Sequence, residues 1–387
     1  GGLELKQITM IASAGLAYSL KFLWAPLLDR LRLPLLGRLG LRRSWLLLAM
    51  GTVIAGLVGM SLIGPDALAP FVWLTLAVAF AGATLDIAVD AYRVEIAAPE
   101  HQGALVATYS LGYRIALIVT GAVALVLADH ISWQWVYRIM AAAMALPLLM
   151  VLFAREPDVR RVQTHGWAEG LREGVVAPFA DFFARFGWGT AALLLLFILS
   201  MKISDQALVG GIIGPFYLDQ GFSKTEIAAV TKVYGIWIGI AGTFIGGLAV
   251  ARWGVQWPLL VAIVLGAASN LLYLLLIGAD GDVGLLTVVI SGENLAQGLL
   301  GTCAVAYMSS LINLRYTATQ YALFSSLIML PGKVLGFYSG AIVEAYSGYA
   351  SYFWLSTVLA LPAVGLFFVL RRRQALVVSS GVPDQGG

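Results

Sequence analysis

Charged residues are scarce in this sequence, since Asp, Glu, Lys and Arg together occupy 12% of its 387 positions. Soluble globular proteins carry about twice that share, so the composition argues against a soluble enzyme or binding domain. The single cysteine, Cys303, excludes an intramolecular disulfide framework. The three histidines, His101, His130 and His165, show no metal-ligand spacing, and the sequence has no phosphate-binding loop in a credible context. No metal, cofactor or nucleic-acid partner is therefore expected.

Apolar residues dominate instead, at 60% of the chain, and the mean hydropathy is +0.88. Such a chain is predicted to be an all-α integral membrane protein, because runs of about 20 apolar residues span a hydrocarbon core of ~30 Å. Residues 1–20 show no signal peptide. Eleven spans are predicted, at residues 7–28, 44–63, 70–93, 103–128, 133–154, 189–218, 225–250, 257–278, 284–312, 319–346 and 350–370.

A polar stretch at 155–188 divides five predicted spans from six. We therefore expect an N-terminal bundle at 1–154, a linker at 155–188, a C-terminal bundle at 189–372 and a tail at 373–387. Within the linker, apolar residues at helical spacing predict an amphipathic helix on the membrane surface; they are Trp167, Leu171, Val175 and Val176.

Arginine distribution predicts the orientation, because cytoplasmic loops are enriched in Lys and Arg. The basic loop 29–43, the tail from Arg371 to Arg373 and the loops containing Arg93, Arg252 and Arg315 are expected in the cytoplasm. This orientation places residues 1–6 outside, which suggests a twelve-span protein whose first helix is absent from this chain. Two pseudo-symmetric halves of six spans are the pattern of secondary transporters.

Ionisable side chains inside spans are costly and usually face a cavity or a partner. In the first half these are Lys21, Asp86, Asp90 and Arg114. Asp86 and Asp90 share a helix face, since their numbers differ by four, and two carboxylates there cannot both be cheaply ionised without a cation. Lys21 and Arg114 are the available cations. The group is a candidate proton-coupling site, with a static ion-pair network as the alternative.

The second half has its own charges within predicted spans: Lys202, Asp205, Lys232, Glu293 and Lys333. They are candidate substrate ligands, and Lys333 either binds an anionic substrate group or pairs with one of the two carboxylates. Tyr113 and Trp237 can stack on sugar rings, or they simply pack at the interface. Glycines spaced by four predict close helix approach; the pairs are Gly235 and Gly239, Gly242 and Gly246, and Gly336 and Gly340.

Several segments resemble the AmpG-type muropeptide permeases, a branch of the major facilitator superfamily related to acetyl-CoA transporters. The residues that carry the resemblance are LKFLWAPLLDR (20–30), GATLDIAVDAYRVE (82–95) and LGYRIALIVTGAVALVLAD (111–129), with further support in 175–183, 293–313 and 317–327. The family pattern has functional charges at the positions of Lys21, Asp86, Asp90 and Arg114. Leu85 departs from it, since a glutamine is usual there.

The resemblance implies a monomeric multi-pass protein of the bacterial inner membrane, with a cytoplasmic C-terminus. It implies import of anhydromuropeptides, which are anionic sugar-peptides, driven by the proton gradient and serving cell-wall recycling and β-lactamase induction. Two alternatives remain. The chain could carry another small solute, such as a coenzyme, sugar or siderophore-like compound, or it could be a transport-inactive membrane scaffold or sensor.

Overall fold

A computed structural model of the chain describes residues 18, 20–63, 67–97, 101–158, 176–208, 212–345 and 348–379. This described part is helical and contains no β-strand. Nine of its helical segments are long and apolar enough to cross a membrane: Leu41–Ile63, Ala69–Ile96, Ala104–Ala128, Trp133–Phe153, Trp188–Ala207, Thr225–Trp253, Gln256–Leu276, Val283–Ser310 and Tyr349–Arg373.

Seven α-helices of the described part precede Gly187. In chain order they are α1 (Ala25–Arg30), α2 (Leu41–Ile63), α3 (Leu68–Ile96), α4 (Gln102–Leu117), α5 (Ala124–His130), α6 (Trp133–Phe153) and α7 (Ala177–Phe186). A π-helical stretch, Ile118–Val123, joins α4 to α5, and a 3₁₀ turn, Lys21–Leu23, precedes α1.

Ten α-helices of the described part follow Gly187. In chain order they are α8 (Trp188–Ser200), α9 (Ile203–Leu208), α10 (Ile213–Asp219), α11 (Lys224–Ile227), α12 (Gly235–Trp253), α13 (Gln256–Leu271), α14 (Val283–Ser310), α15 (Thr317–Ala345), α16 (Tyr349–Val358) and α17 (Leu361–Ser379). A π-helical stretch, Ala228–Tyr234, joins α11 to α12, and a 3₁₀ stretch, Leu272–Leu276, extends α13.

The predicted span 189–218 is interrupted, because α8 ends at Ser200 and a turn at Met201 and Lys202 precedes α9. The predicted span 7–28 and amphipathic linker helix lie mostly outside the described residues. The predicted span 319–346 corresponds to α15, which is not among the nine apolar segments, although its 29 residues reach about 44 Å at 1.5 Å per residue.

The chain forms two compact units that are discontinuous in sequence. Unit 1 combines Gly1–Ala98, Gly112–Ala180 and Ile312–Ser326; unit 2 combines Pro99–Leu111, Asp181–Leu311 and Leu327–Gly387. Two helices, α4 and α15, therefore begin in one unit and end in the other. The bundle limits expected from the sequence stay a prediction.

Small residues bring α12 and α14 of unit 2 into backbone contact, as the glycine spacing predicted. A Cβ on Gly242 would meet the carbonyl oxygen of Leu295, and one on Gly298 would meet the backbone of α12. The Thr302 hydroxyl donates to the Thr243 carbonyl at 3.3 Å across the same contact. The pair Gly336 and Gly340 lies outside the described side chains.

Candidate functional site

Lys21 joins the two aspartates of α3 in unit 1. Its Nζ lies 2.5 Å from Asp86 Oδ2 and 3.9 Å from Asp90 Oδ2. The Lys21 and Asp90 side chains are each 6% exposed, whereas that of Asp86 is 30% exposed. The four-residue spacing of the aspartates on one helix explains how a single lysine reaches both. The structure thus assembles three of the four charges singled out in the first half.

Arg93 extends this set along α3. Its Nη2 lies 4.0 Å from Asp90 Oδ1, and its guanidinium carbon lies 5.3 Å from the centre of the Tyr321 ring. Arg93 and Tyr321 are 4% and 3% exposed. The expectation that Arg93 lies in a cytoplasmic loop is therefore wrong, because α3 continues to Ile96 and buries the guanidinium. We call Lys21, Asp86, Asp90, Arg93 and Tyr321 the charge array.

Arg114, the fourth predicted member, is not part of this array. It lies on α4, half-buried, and its guanidinium makes no salt bridge with any carboxylate that the structure describes. Tyr113 beside it is 60% exposed. The ring and the guanidinium thus remain accessible for other contacts.

A second polar cluster of unit 1 was not predicted from the sequence. Asp29, at the end of α1, accepts hydrogen bonds from the amides of Ala318 and Thr319 at 3.0 and 2.9 Å. Arg42 Nη2 donates to Asp29 Oδ1 and to Glu95 Oε1, each at 2.6 Å. Arg42 is fully buried. The carboxylate of Asp29 therefore caps the positive end of α15, whose own first turn has no acidic residue.

In unit 2, Lys202 and Asp205 form an ion pair, with Nζ 3.3 Å from Oδ2. The side chains are 17% and 7% exposed. Their spacing of three predicted this contact. The interruption after Ser200 was not predicted, and it places Lys202 in the turn between α8 and α9 rather than within a continuous helix.

Glu293 of α14 lies in a mostly uncharged setting. Gln297 Nε2 donates to Glu293 Oε1 at 2.8 Å, and the Tyr273 hydroxyl lies beside the same carboxylate. Tyr273 in turn shares a hydrogen bond of 3.3 Å with the Tyr217 hydroxyl. Asp205 and Lys232 act on Glu293 electrostatically rather than by direct contact. Glu293 is thus linked to Gln297 and to the two tyrosines.

The remaining predicted ligands of unit 2 are exposed or outside the described side chains. Lys232 lies exposed on the π-helical stretch before α12, and it makes no salt bridge with a carboxylate in the described ranges. Trp237 is 63% exposed. The side chain of Lys333 is outside the described part, so its binding role stays a prediction.

An uncharged residue, Gln206, contacts the proline-containing segment of α15. Its Oε1 accepts from the Gly332 amide at 3.0 Å, and its Nε2 lies 3.4 Å from the Met329 sulfur. Pro331 lacks an amide hydrogen and removes a backbone hydrogen bond from this helix. Gln206 was not predicted from the sequence, because it carries no charge.

The chain is similar to known transporters over most of its length. The profile of the Major Facilitator Superfamily matches residues 3–332. The chain is 34% identical over 372 residues to the anhydromuropeptide permease of Escherichia coli (strain K12), covering 96% of this chain and 74% of that protein. It is 33% identical over 380 residues to the putative transporter AmpG 4 of Rickettsia felis, covering 96% and 90% respectively.

Solved structures show the same fold. FucP, a Major Facilitator Superfamily transporter in an outward conformation, is similar with a TM-score of 0.70 and 14% identity, covering 95% of this chain and 91% of that one. The proton:xylose symporter XylE is similar with a TM-score of 0.65 and 14% identity, covering 95% and 87%. At these identities the likeness concerns the fold alone, and it confirms the predicted fold class.

Proposed function

Because this chain belongs to the major facilitator superfamily, we propose that it is a proton-coupled importer of anhydromuropeptides. The chain is a multi-pass membrane transporter and not an enzyme, as its family and its nine apolar helical segments indicate. The proposed substrate rests on the 34% identity with the E. coli permease over 96% of this chain. Its location is then the inner membrane, with the C-terminus in the cytoplasm.

The charge array of unit 1 supports the coupling role. Asp90 lies between Lys21 and Arg93, at 3.9 and 4.0 Å, and neither cation is within hydrogen-bond distance of it. Asp86 is the more exposed carboxylate and has the close contact with Lys21. A proton that reaches Asp86 weakens this contact and lets Lys21 turn towards Asp90. Carboxylates whose charge depends on neighbours and access are typical of proton relays in transporters.

The cations of unit 2 suit an anionic substrate. Peptide carboxylates of an anhydromuropeptide need positive side chains, and Lys202, Lys232 and Lys333 are the candidates in this unit. Lys202 already holds Asp205 at 3.3 Å, so a substrate carboxylate can exchange with Asp205. The exposed ring of Trp237 offers a stacking face for a sugar.

Uptake into proteoliposomes tests the substrate and the coupling separately. Radiolabelled GlcNAc-anhydroMurNAc-peptide should accumulate under an inward proton gradient, and an ionophore should abolish accumulation. Unlabelled substrate should compete, whereas a coenzyme, a plain hexose or a siderophore should not. If one of these compounds competes and the unlabelled muropeptide does not, that compound is the substrate and the proposed substrate is wrong. Binding without translocation would favour the scaffold or sensor alternative.

The coupling assignment is tested with Asp90→Asn and Asp86→Asn. Each variant should lose gradient-driven accumulation and keep exchange of labelled for unlabelled substrate, because exchange needs no net proton movement. Asp158→Asn, at an exposed position of the same unit, is the matched control and should behave as the unaltered protein. If both array variants accumulate substrate normally, the array does not couple transport to protons.

A further inference from the structure

The last described span of unit 2 ends beside the beginnings of two others. This span, Tyr349–Arg373, ends with three consecutive arginines. The guanidinium of Arg371 lies 3.9 Å from the centre of the Trp257 ring, in the first turn of α13. A Cβ on Gly189, in the first turn of α8, would lie 3.1 Å from Arg373 Nη1. We call Arg371, Arg372, Arg373 and Trp257 the basic–aromatic cluster.

This cluster lies at a membrane boundary. Two of the spans begin at Trp188 and Gln256, and another ends at Trp253. Trp188, Trp253 and Trp257 are 76%, 64% and 47% exposed, and exposed tryptophans at span ends lie at the level of lipid headgroups. The arginines therefore lie where phosphates of the bilayer are found.

The charges of the cluster have no acidic counterpart in the structure. No carboxylate of the described residues forms a salt bridge with Arg371, Arg372 or Arg373. The first turns of α8 and α13 contain no acidic residue either, and each helix adds the partial positive charge of its amino end. The guanidinium groups of Arg371 and Arg373 lie beside these two helix starts, and this positive setting favours an anion.

One guanidinium nitrogen is already withdrawn from water. Nη1 of Arg371 is buried and has no hydrogen-bond partner among the described atoms. Arg371 also lines a small cleft of about 20 Å³, together with Phe197, Gln256, Tyr307, Phe367 and Leu370. That volume accommodates a single oxygen atom. A buried donor without an acceptor is costly, so the cleft favours an oxygen of an anionic group.

We propose that the basic–aromatic cluster binds the phosphate of an anionic phospholipid. One phosphate oxygen enters the cleft and accepts from Arg371 Nη1, while Arg372 and Arg373 neutralise the remaining charge. Arginine suits this role because its planar group stacks on Trp257 and binds phosphate in a fixed geometry. Phe367 and Leu370, each 5% exposed, form part of the apolar wall of this cleft. The proposal does not depend on the transported substrate.

Native mass spectrometry of the full purified chain tests the site. The protein is equilibrated with equal amounts of phosphatidylglycerol and phosphatidylcholine, and retained lipid is counted. Phosphatidylglycerol should be retained preferentially, and R371Q/R373Q should weaken its binding about 25-fold, since each arginine near an anionic surface contributes about a factor of five. R371K should give an intermediate loss, because lysine keeps the charge and loses the stacking.

The matched control is R32Q/R38Q, which removes two exposed arginines of the α1–α2 loop in unit 1. It should retain phosphatidylglycerol as the unaltered protein does. Circular dichroism confirms that each variant keeps its helices. If R371Q/R373Q does not fold, the lipid binding of R371K provides the test. If both double variants lose phosphatidylglycerol binding equally, the loss follows from net charge alone, and the proposal is overturned. Displacement of the lipid by inorganic phosphate would instead assign a soluble anion.

Discussion

Replacement of Asp29 by asparagine should release the first turn of α15. Asp29 is 3% exposed, and its Oδ1 accepts from the Ala318 amide at 3.0 Å and from Arg42 Nη2 at 2.6 Å. Its Oδ2 accepts from the Thr319 amide at 2.9 Å and the Thr319 hydroxyl at 2.7 Å. The first amides of a helix have no partner within the helix. The protection of these two amides therefore depends on the carboxylate.

The magnitude follows from what asparagine can still accept. One of its two terminal atoms becomes an NH₂ group, which faces two donors whichever way the amide is oriented. Loss of one partner from a buried ion pair costs about 3–5 kcal/mol, and the lower value applies because Arg42 keeps Glu95 at 2.6 Å. At 1.36 kcal/mol per factor of ten, about 3 kcal/mol corresponds to a hundredfold rise in amide exchange.

Hydrogen–deuterium exchange of the purified protein measures this rise at Ala318 and Thr319. The matched control is Asp158→Asn, which makes the same chemical change at an exposed position of unit 1. Its exchange at α15 should equal that of the unaltered protein. If Asp29→Asn leaves the two amides as protected as before, the carboxylate does not hold this turn, and the capping argument is refuted.

Two further predictions concern unit 2. Gly298→Ala should cost about 1–3 kcal/mol of stability, because its methyl group would meet the backbone of α12; thermal unfolding measures the loss against Gly301→Ala, whose methyl would meet nothing within 4 Å. Equal shifts would contradict close packing at this position. Gln206→Leu should speed exchange of the Gly332 amide, since an unpaired buried donor costs about 1–3 kcal/mol. Gln134→Leu, at an exposed position, is the control, and unchanged exchange at Gly332 would show that the side-chain acceptor contributes nothing.

Contacts within one helix or between near neighbours were predictable from the sequence. The spacing of Asp86 and Asp90, and that of Lys202 and Asp205, follows from helical periodicity alone. Lys21 was predicted as an available cation for the aspartates, and its depth inside the span end matched that of Asp86, at roughly 10–12 Å. The structure places Lys21 Nζ 2.5 Å from Asp86. These contacts follow from the rise per residue of an α-helix and from the cost of an unpaired charge in a membrane.

Contacts between distant segments were not predictable in the same way. Asp29 and Thr319 are 290 positions apart, and nothing local to either indicates the other. Arg93 was assigned to a loop because positive charge marks span ends, whereas Tyr321, far along the chain, provides the ring beside which it is buried. A single sequence gives helical faces and depths, but it does not give which faces pack together.

Helix α15 is held in two physically different ways along its length. Its first turn is fixed in unit 1 by the buried carboxylate of Asp29, and several hydrogen bonds to a charged group must break before it moves. Beyond Leu327, where the helix belongs to unit 2, the neutral amide of Gln206 holds Gly332 next to a proline that has already removed one backbone bond. Bending at Pro331 and Gly332 therefore costs less than release of the first turn. A change of shape in α15 during transport should begin at the Gln206 contact, with the Asp29 contact breaking later.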